Sequence, residues 1–222
     1  SEGMTAGQLA HFLNDYLSVM TATILEEEGT VDKYIGDAIM MLYGAPVSVD
    51  DHAAKACRTG LAMQKAVVEN QTRWREYGLP DVQIGVGLNT GIAAIGNMGS
   101  SFRFDYTAMG DPVNLASRLE GLNKVYGTEL IVGPETQAAT RESFCYRELD
   151  FVRVKGKTEP VRIYELLGTS DCAGAMGEFV TRFEGALQHF RDRSWDCARA
   201  LLEGCLSQRP EDGPSRFLLA GV

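Results

Sequence analysis

Two short β-rich runs, residues 30–35 and 38–43, meet at Ile35-Gly36-Asp37-Ala38 and leave two residues for the reversal. A Gly-Asp pair between such runs specifies a tight hairpin. Helix-periodic stretches flank it on both sides. Residues 5–27 carry Leu9, Phe12, Leu13, Tyr16, Leu17 and Met20 at helical spacing, with Thr5 placed to cap the start and Gly29 to end it. Asp50 and Asp51 open a second helix, built on Ala54, Cys57, Leu61, Met63, Ala66 and Val67 and ending near Gly78-Leu79-Pro80. A tight hairpin set between long amphipathic helices points to the α+β class, with helices laid on an antiparallel or mixed sheet.

Further along, Val82 to Ile95 reads as a Gly-rich strand region, followed by a loop and a short strand at 103–107. Gly110-Asp111-Pro112 starts a third helix, with Asp111 at the cap, Pro112 at the first helical position, and Leu115, Leu119 and Leu122 as its buried stripe. A strand, a short helix and a long hairpin come next. The hairpin strands lie near 144–154 and 160–167 and join through Gly156-Lys157-Thr158-Glu159. After Gly168 the pattern becomes entirely helical, with Phe179, Phe183, Leu187 and Phe190, then Trp195, Ala198, Leu201, Leu202 and Leu206. This resembles a tetratricopeptide-type helix pair. One such repeat cannot bury its own face, so it is expected to pack on the main domain or on a partner. The expected division is a domain over residues 1–168 and a small all-helical extension over 169–222.

Composition narrows the function classes. The chain has 222 residues and a formal net charge of -9. That balance argues against a nucleic-acid partner, which needs a basic stripe, but a nucleotide needs only two or three local cations and a metal ion. Five cysteines without a C-x-x-C pair suit neither a disulfide framework nor a zinc site. No apolar run approaches the roughly 20 residues of a bilayer span, and the first residues lack a signal-peptide pattern. A cytoplasmic, soluble chain is expected, with membrane attachment only through a region upstream of it. Gly85-Val86-Gly87 followed by Gly91 has the wrong spacing for a dinucleotide loop, and close packing of strands explains it better. His11, His52 and His189 have no second His or Cys at metal spacing and read as structural.

Three segments can carry chemistry. In Lys33-Tyr34-Ile35-Gly36-Asp37, strand alternation puts Val31, Lys33 and Ile35 on one face and Asp37 at the hairpin tip. A carboxylate there suits magnesium or manganese, although a turn-satisfying Asp37 and a solvated Lys33 fit the same pattern. Asn114 and Arg118, four apart, project from one helical face and could hold an oxyanion; an ordinary exposed face is the alternative. In Val154-Lys155-Gly156-Lys157, two lysines at a strand end can reach a polyphosphate or simply charge a hairpin edge.

Taken in order and at these distances, V-D-K-Y-I-G-D-A-I-M, I-G-V-G-L-N-T-G, D-Y-T-A-M-G-D-P-V-N-L-A-S-R-L-E and V-K-G-K-T-E-P-V resemble the class III adenylyl and guanylyl cyclase family, from about Glu2 to Leu167. The resemblance implies a ferredoxin-like cyclase homology domain with a βαββαβ core. It implies conversion of ATP to 3′,5′-cyclic AMP and pyrophosphate, with two Mg2+ or Mn2+ ions per site. Residue by residue, Asp37 matches a metal-binding aspartate, and Lys33 and Thr107 the pair that reads the purine edge. Asn114 matches the ribose-orienting residue and Arg118 the one that stabilises charge at the α-phosphate. Lys155 matches the triphosphate lysine, with Lys157 as the alternative. The family arrangement is a head-to-tail homodimer, with Asp37 from one chain and Lys33, Thr107, Asn114, Arg118 and Lys155 from the other. Lys33 with Thr107 complements adenine, whereas guanine's reversed edge calls for an acid at position 33.

One departure stands out. The family opens with an F-x-D-I-x-x-F-T strand that carries the first metal aspartate. Ser1-Glu2-Gly3-Met4-Thr5 looks like the residues just after it, so the first core strand is expected upstream of this chain. A catalytically inactive, cyclase-like regulatory or dimerisation module is the rival reading.

Overall fold

The computed structural model describes residues 5–79, 81–153 and 160–222, so Lys155, Lys157 and the expected 156–159 turn lie outside the described residues. In chain order the first elements are α1 (Ala6–Glu26), β1 (Thr30–Ile35), β2 (Ala38–Leu42), α2 (His52–Arg75) and β3 (Val86–Leu88). They are followed by β4 (Ala94–Gly99), β5 (Phe104–Met109), α3 (Asp111–Tyr126), β6 (Leu130–Val132) and α4 (Pro134–Thr140). The last are β7 (Phe144–Val152), β8 (Val161–Thr169), α5 (Ala173–Arg191), α6 (Trp195–Gln208) and α7 (Gly213–Leu219). No described helix is long and apolar enough to cross a membrane. Packing divides the chain into two units: residues up to Ile84 with Ile92–Gly110, and Gly85–Gly91 with Asp111–Val222.

In the first unit, Thr5 caps α1 in a reciprocal box. Its hydroxyl accepts from the Gln8 amide, and Gln8 Oε1 accepts from the Thr5 amide at 3.0 Å. Caps of this kind contribute about 1 kcal/mol. The apolar stripe of α1, Phe12, Tyr16, Met20 and Ile24, closes on Met63, Val67 and Trp74 of α2. Phe12 meets the Trp74 ring edge-on at 5.9 Å, and Asp15 accepts a 2.9 Å hydrogen bond from the Trp74 indole, so the buried polar edge of the ring has its partner. Val31, Ile39 and Met41 of the β1–β2 hairpin pack on the same core. Gly36, at φ +66°, takes the left-handed position that this two-residue turn requires. A second antiparallel hairpin, β4–β5, runs in register from Ala94 opposite Met109 to Gly99 opposite Phe104.

The second unit holds a four-stranded mixed sheet in the order β3-β6-β8-β7, with β3 parallel to β6 and the other pairs antiparallel. Helix α3 buries Leu115, Leu119 and Tyr126 against Ile131, Leu149 and Ile163. The Gly-rich region is strand only over Val86–Leu88 and again from Ala94. Its glycines allow close approach, but to a helix rather than to strands. A Cβ on Gly87 would lie 2.2 Å from the Glu120 amide nitrogen and 2.3 Å from the Ala116 carbonyl oxygen of α3. Asn123 locks the contact, donating at 3.0 Å to the Val86 carbonyl.

The C-terminal helices are as expected helical, and they pack on this same unit. Met176, Phe179, Phe183, Leu187, Leu202 and Leu218 form their shared core. Arg147 of β7, with 2% of its side chain exposed, ties them to the sheet. Its Nε donates to Glu165 of β8 at 2.9 Å, and its Nη1 donates to both carboxylate oxygens of Asp212 at 2.9 Å. The Phe183 ring centroid lies 4.5 Å from the guanidinium carbon. Asp212 in turn caps α7 by accepting from the Ser215 amide.

Candidate active site

The first unit assembles a polar cluster from residues 74 and 75 positions apart in sequence. Lys33 Nζ on β1 donates to Thr107 Oγ1 on β5 at 3.1 Å. Thr107 Oγ1 donates to Asp32 Oδ2 at 2.5 Å, and Lys33 Nζ stands 3.1 Å from Asp32 Oδ1. Asp32 has 0% of its side chain exposed and Lys33 has 34%, while Thr107 is 5% exposed as a residue. The ammonium thus reaches solvent from a pedestal of buried oxygens.

Strict alternation cannot produce this cluster, because it sends Asp32 and Lys33 to opposite faces. The ladder shows why they meet. Val31 pairs with Met41 and Lys33 with Met40, so Asp32 is the extra residue of a β-bulge. A bulge kinks the strand and re-aims a side chain, which lets neighbouring residues address the same hydroxyl. Asp32 was not legible as a site residue; the sequence signal available for it was an acid beside a lysine in a strand.

Asp37 is exposed at the β1–β2 turn, four residues beyond Lys33. Its negative charge is felt at Tyr16, whose phenol is pushed up to about 12 by burial and, secondarily, by Asp37. A carboxylate on a hairpin turn is chemically suited to be one oxygen ligand of a hard divalent cation. Among the described residues, no group of three or more His, Cys, Asp or Glu side chains gathers to complete a metal shell.

In the second unit, Asn114 is exposed and Arg118 half-buried on α3, one helical turn apart and beside the buried Leu115 and Leu119. No hydrogen bond or ion pair from another described residue engages either side chain. The helix is held at its start by Asn89, whose Nδ2 donates to the Pro112 carbonyl at 3.2 Å. An amide and a guanidinium on one face, with their donors uncommitted among the described residues, can bind a hydroxyl and an oxyanion at neighbouring points.

Comparison with known proteins bears on this arrangement. The family described as "Adenylate and Guanylate cyclase catalytic domain" matches residues 1–168. Adenylate cyclase 1 of Rhizobium meliloti is 34% identical over 168 residues, 76% of this chain and 25% of that protein. The chain spans between a tenth and about a third of the length of the curated relatives it matches. The crystal structure of the adenylyl cyclase CyaB from P. aeruginosa is 34% identical, with a TM-score of 0.68 over 75% of this chain and 85% of that one. The guanylyl cyclase Cya2 superposes equally well, with a TM-score of 0.68 and 32% identity over 77% of this chain and 85% of that one.

Proposed function

This chain belongs to the adenylate and guanylate cyclase catalytic-domain family, and from that premise we propose that it converts ATP into 3′,5′-cyclic AMP and pyrophosphate. Solved relatives of both base specificities share its fold, so the choice of ATP rests on side chains. The observation that carries it is the Lys33–Thr107 contact. Adenine presents an acceptor at N1 and a donor amine at N6. A lysine can only donate, and it suits N1; the threonine oxygen beside it suits the amine. Guanine reverses both positions.

The reaction is an in-line attack of the 3′-hydroxyl on the α-phosphate of the same nucleotide. Asn114 fixes the ribose so that the attacking oxygen lies behind the scissile bond, a positioning role. Arg118 places its guanidinium where charge accumulates on the α-phosphate oxygens, and stabilisation of that kind is worth several kcal/mol at a pre-organised donor. Lys155, or Lys157, is assigned to the leaving polyphosphate. A divalent cation such as magnesium or manganese, two per site in our reading, would supply charge to the phosphates and make the hydroxyl more acidic when bound. Asp37 is the residue of this chain assigned to hold it.

The working unit is a homodimer, in which Asp37 of one protomer serves the Lys33, Thr107, Asn114 and Arg118 of the other. Exposed apolar side chains along β4–β5, among them Ile95, Phe104, Tyr106 and Met109, support a surface that is covered in the assembled enzyme. Residues 1–168 form the catalytic part and 169–222 a helical extension, working in the cytoplasm where ATP is abundant.

The decisive assay offers the full-length protein carrying this chain ATP or GTP with Mn2+ or Mg2+ and measures both cyclic products. Cyclic AMP is expected as the main product with either metal. Comparable turnover of GTP would defeat the base assignment, and no turnover of either would favour an inactive dimerisation module.

A further inference from the structure

We propose that Asp32, which does not touch the nucleotide, sets base specificity by fixing the direction of the Thr107 hydroxyl. The inference rests on the cyclase reading above and deepens it. A threonine hydroxyl has one proton and two lone pairs, and it is free to donate or accept according to what surrounds it. Left to rotate, Thr107 could donate to the O6 oxygen of guanine as readily as it accepts from the N6 amine of adenine. A freely turning hydroxyl is therefore a poor discriminator between the two bases.

Asp32 removes that freedom. Its carboxylate accepts only, and Oδ2 lies 2.5 Å from Thr107 Oγ1, so the hydroxyl proton is directed there. Lys33 Nζ, 3.1 Å from Thr107 Oγ1, donates only and takes one lone pair. What remains to a ligand is the second lone pair. An exocyclic amine satisfies it, whereas a carbonyl oxygen would set lone pair against lone pair in a largely buried position, which is a costly mismatch. Asp32 also steadies Lys33, whose Nζ stands 3.1 Å from Oδ1. That Oδ1 is buried and has no well-formed hydrogen bond, so the contact is one of charge rather than of geometry. Burying a carboxylate is expensive, and a strand bulge is spent on aiming this one inward. With no side-chain surface exposed, it acts through its two neighbours and is a positioning residue.

The test uses the full-length protein and three substrates: ATP, GTP and inosine triphosphate, which carries guanine's N1 and O6 edge without the 2-amino group. Asp32→Asn is close to isosteric. Because Lys33 can only donate, the carboxamide oxygen is expected to face Lys33 and the amide to donate to Thr107, which turns the hydroxyl proton outward. The ratio of kcat/KM for ATP over inosine triphosphate should fall at least about tenfold, the scale of a lost base-edge hydrogen-bond match, and mainly through KM. Thr107→Val should lower the ratio similarly, and Asp32→Asn added to it should lower it by much less than Asp32→Asn does alone, the remainder passing through Lys33. Thr107→Ser keeps both the hydroxyl and Asp32 and should hold the ratio within about threefold of wild type.

A wild-type ratio in Asp32→Asn, or an undiminished fall when it is added to Thr107→Val, overturns the inference while leaving the cyclase assignment intact. A Thr107→Val protein with the wild-type ratio does the same, and that variant stands even where Asp32 variants do not fold. Absence of cyclic nucleotide from the wild-type protein would instead strike the assignment on which the inference rests.

Discussion

Arg118 sits half-buried on α3 with its guanidinium engaged by no other described residue. It is therefore a side chain whose removal should test chemistry separately from folding. In Arg118→Ala we expect kcat to fall by about 10²–10³, the usual cost of losing one donor aimed at developing charge. The ATP dissociation constant should change little, because that donor acts most strongly in the transition state. The thermal midpoint should stay near the wild-type value, since no pairing within the described chain is lost. Equal losses in binding and turnover would mean that Arg118 grips the ground state and has no special role at the α-phosphate. Glu165 illustrates the opposite kind of residue. Burial pushes its carboxyl up against the pull of Arg147, and what it pairs with is that guanidinium rather than a ligand.

At the scale of elements, the contact of β3 with α3 decides where Asn114 and Arg118 stand. Gly87→Ala would drive a methyl group into the Ala116 carbonyl and the Glu120 amide, both backbone atoms of a helix that cannot yield cheaply. We expect a loss of about 1–3 kcal/mol in denaturant unfolding, with turnover lost together with stability as α3 is displaced. A fully stable, fully active Gly87→Ala protein would show that the strand can move away freely. The sequence told of close packing at these glycines but not of its partner, because glycine spacing does not reveal whether a strand or a helix approaches. The hairpin at Gly36-Asp37 and the helix start at Asp111-Pro112 were legible, since turn and first-turn chemistry is local. The pairing of Lys33 with Thr107 came through family resemblance alone, as no local rule links residues that far apart. Asp32 escaped even that, because period-two reasoning assumes an unbroken ladder and the bulge breaks it between Val31 and Lys33.

For the whole molecule, the shared-site reading makes a quantitative claim about mixtures. Asp37→Ala and Arg118→Ala should each be nearly inactive alone. Co-expressed, they should form mixed dimers in which one site carries both lesions and the other carries neither. Half the dimers being mixed, with one good site of two, activity should recover to about a quarter of wild type in a symmetric dimer. No recovery from a demonstrably mixed dimer would place all the working groups within a single subunit. The Arg147 junction bears on the same molecule from the other end. Because a guanidinium shut away from water draws its counter-charge from Asp212 as well as from Glu165, releasing the segment that carries Asp212 while α5 keeps Phe183 over the guanidinium would leave that buried cation with Glu165 alone. The C-terminal helices and the β7–β8 pair are thereby yoked: damage to the one is expected to register in the other.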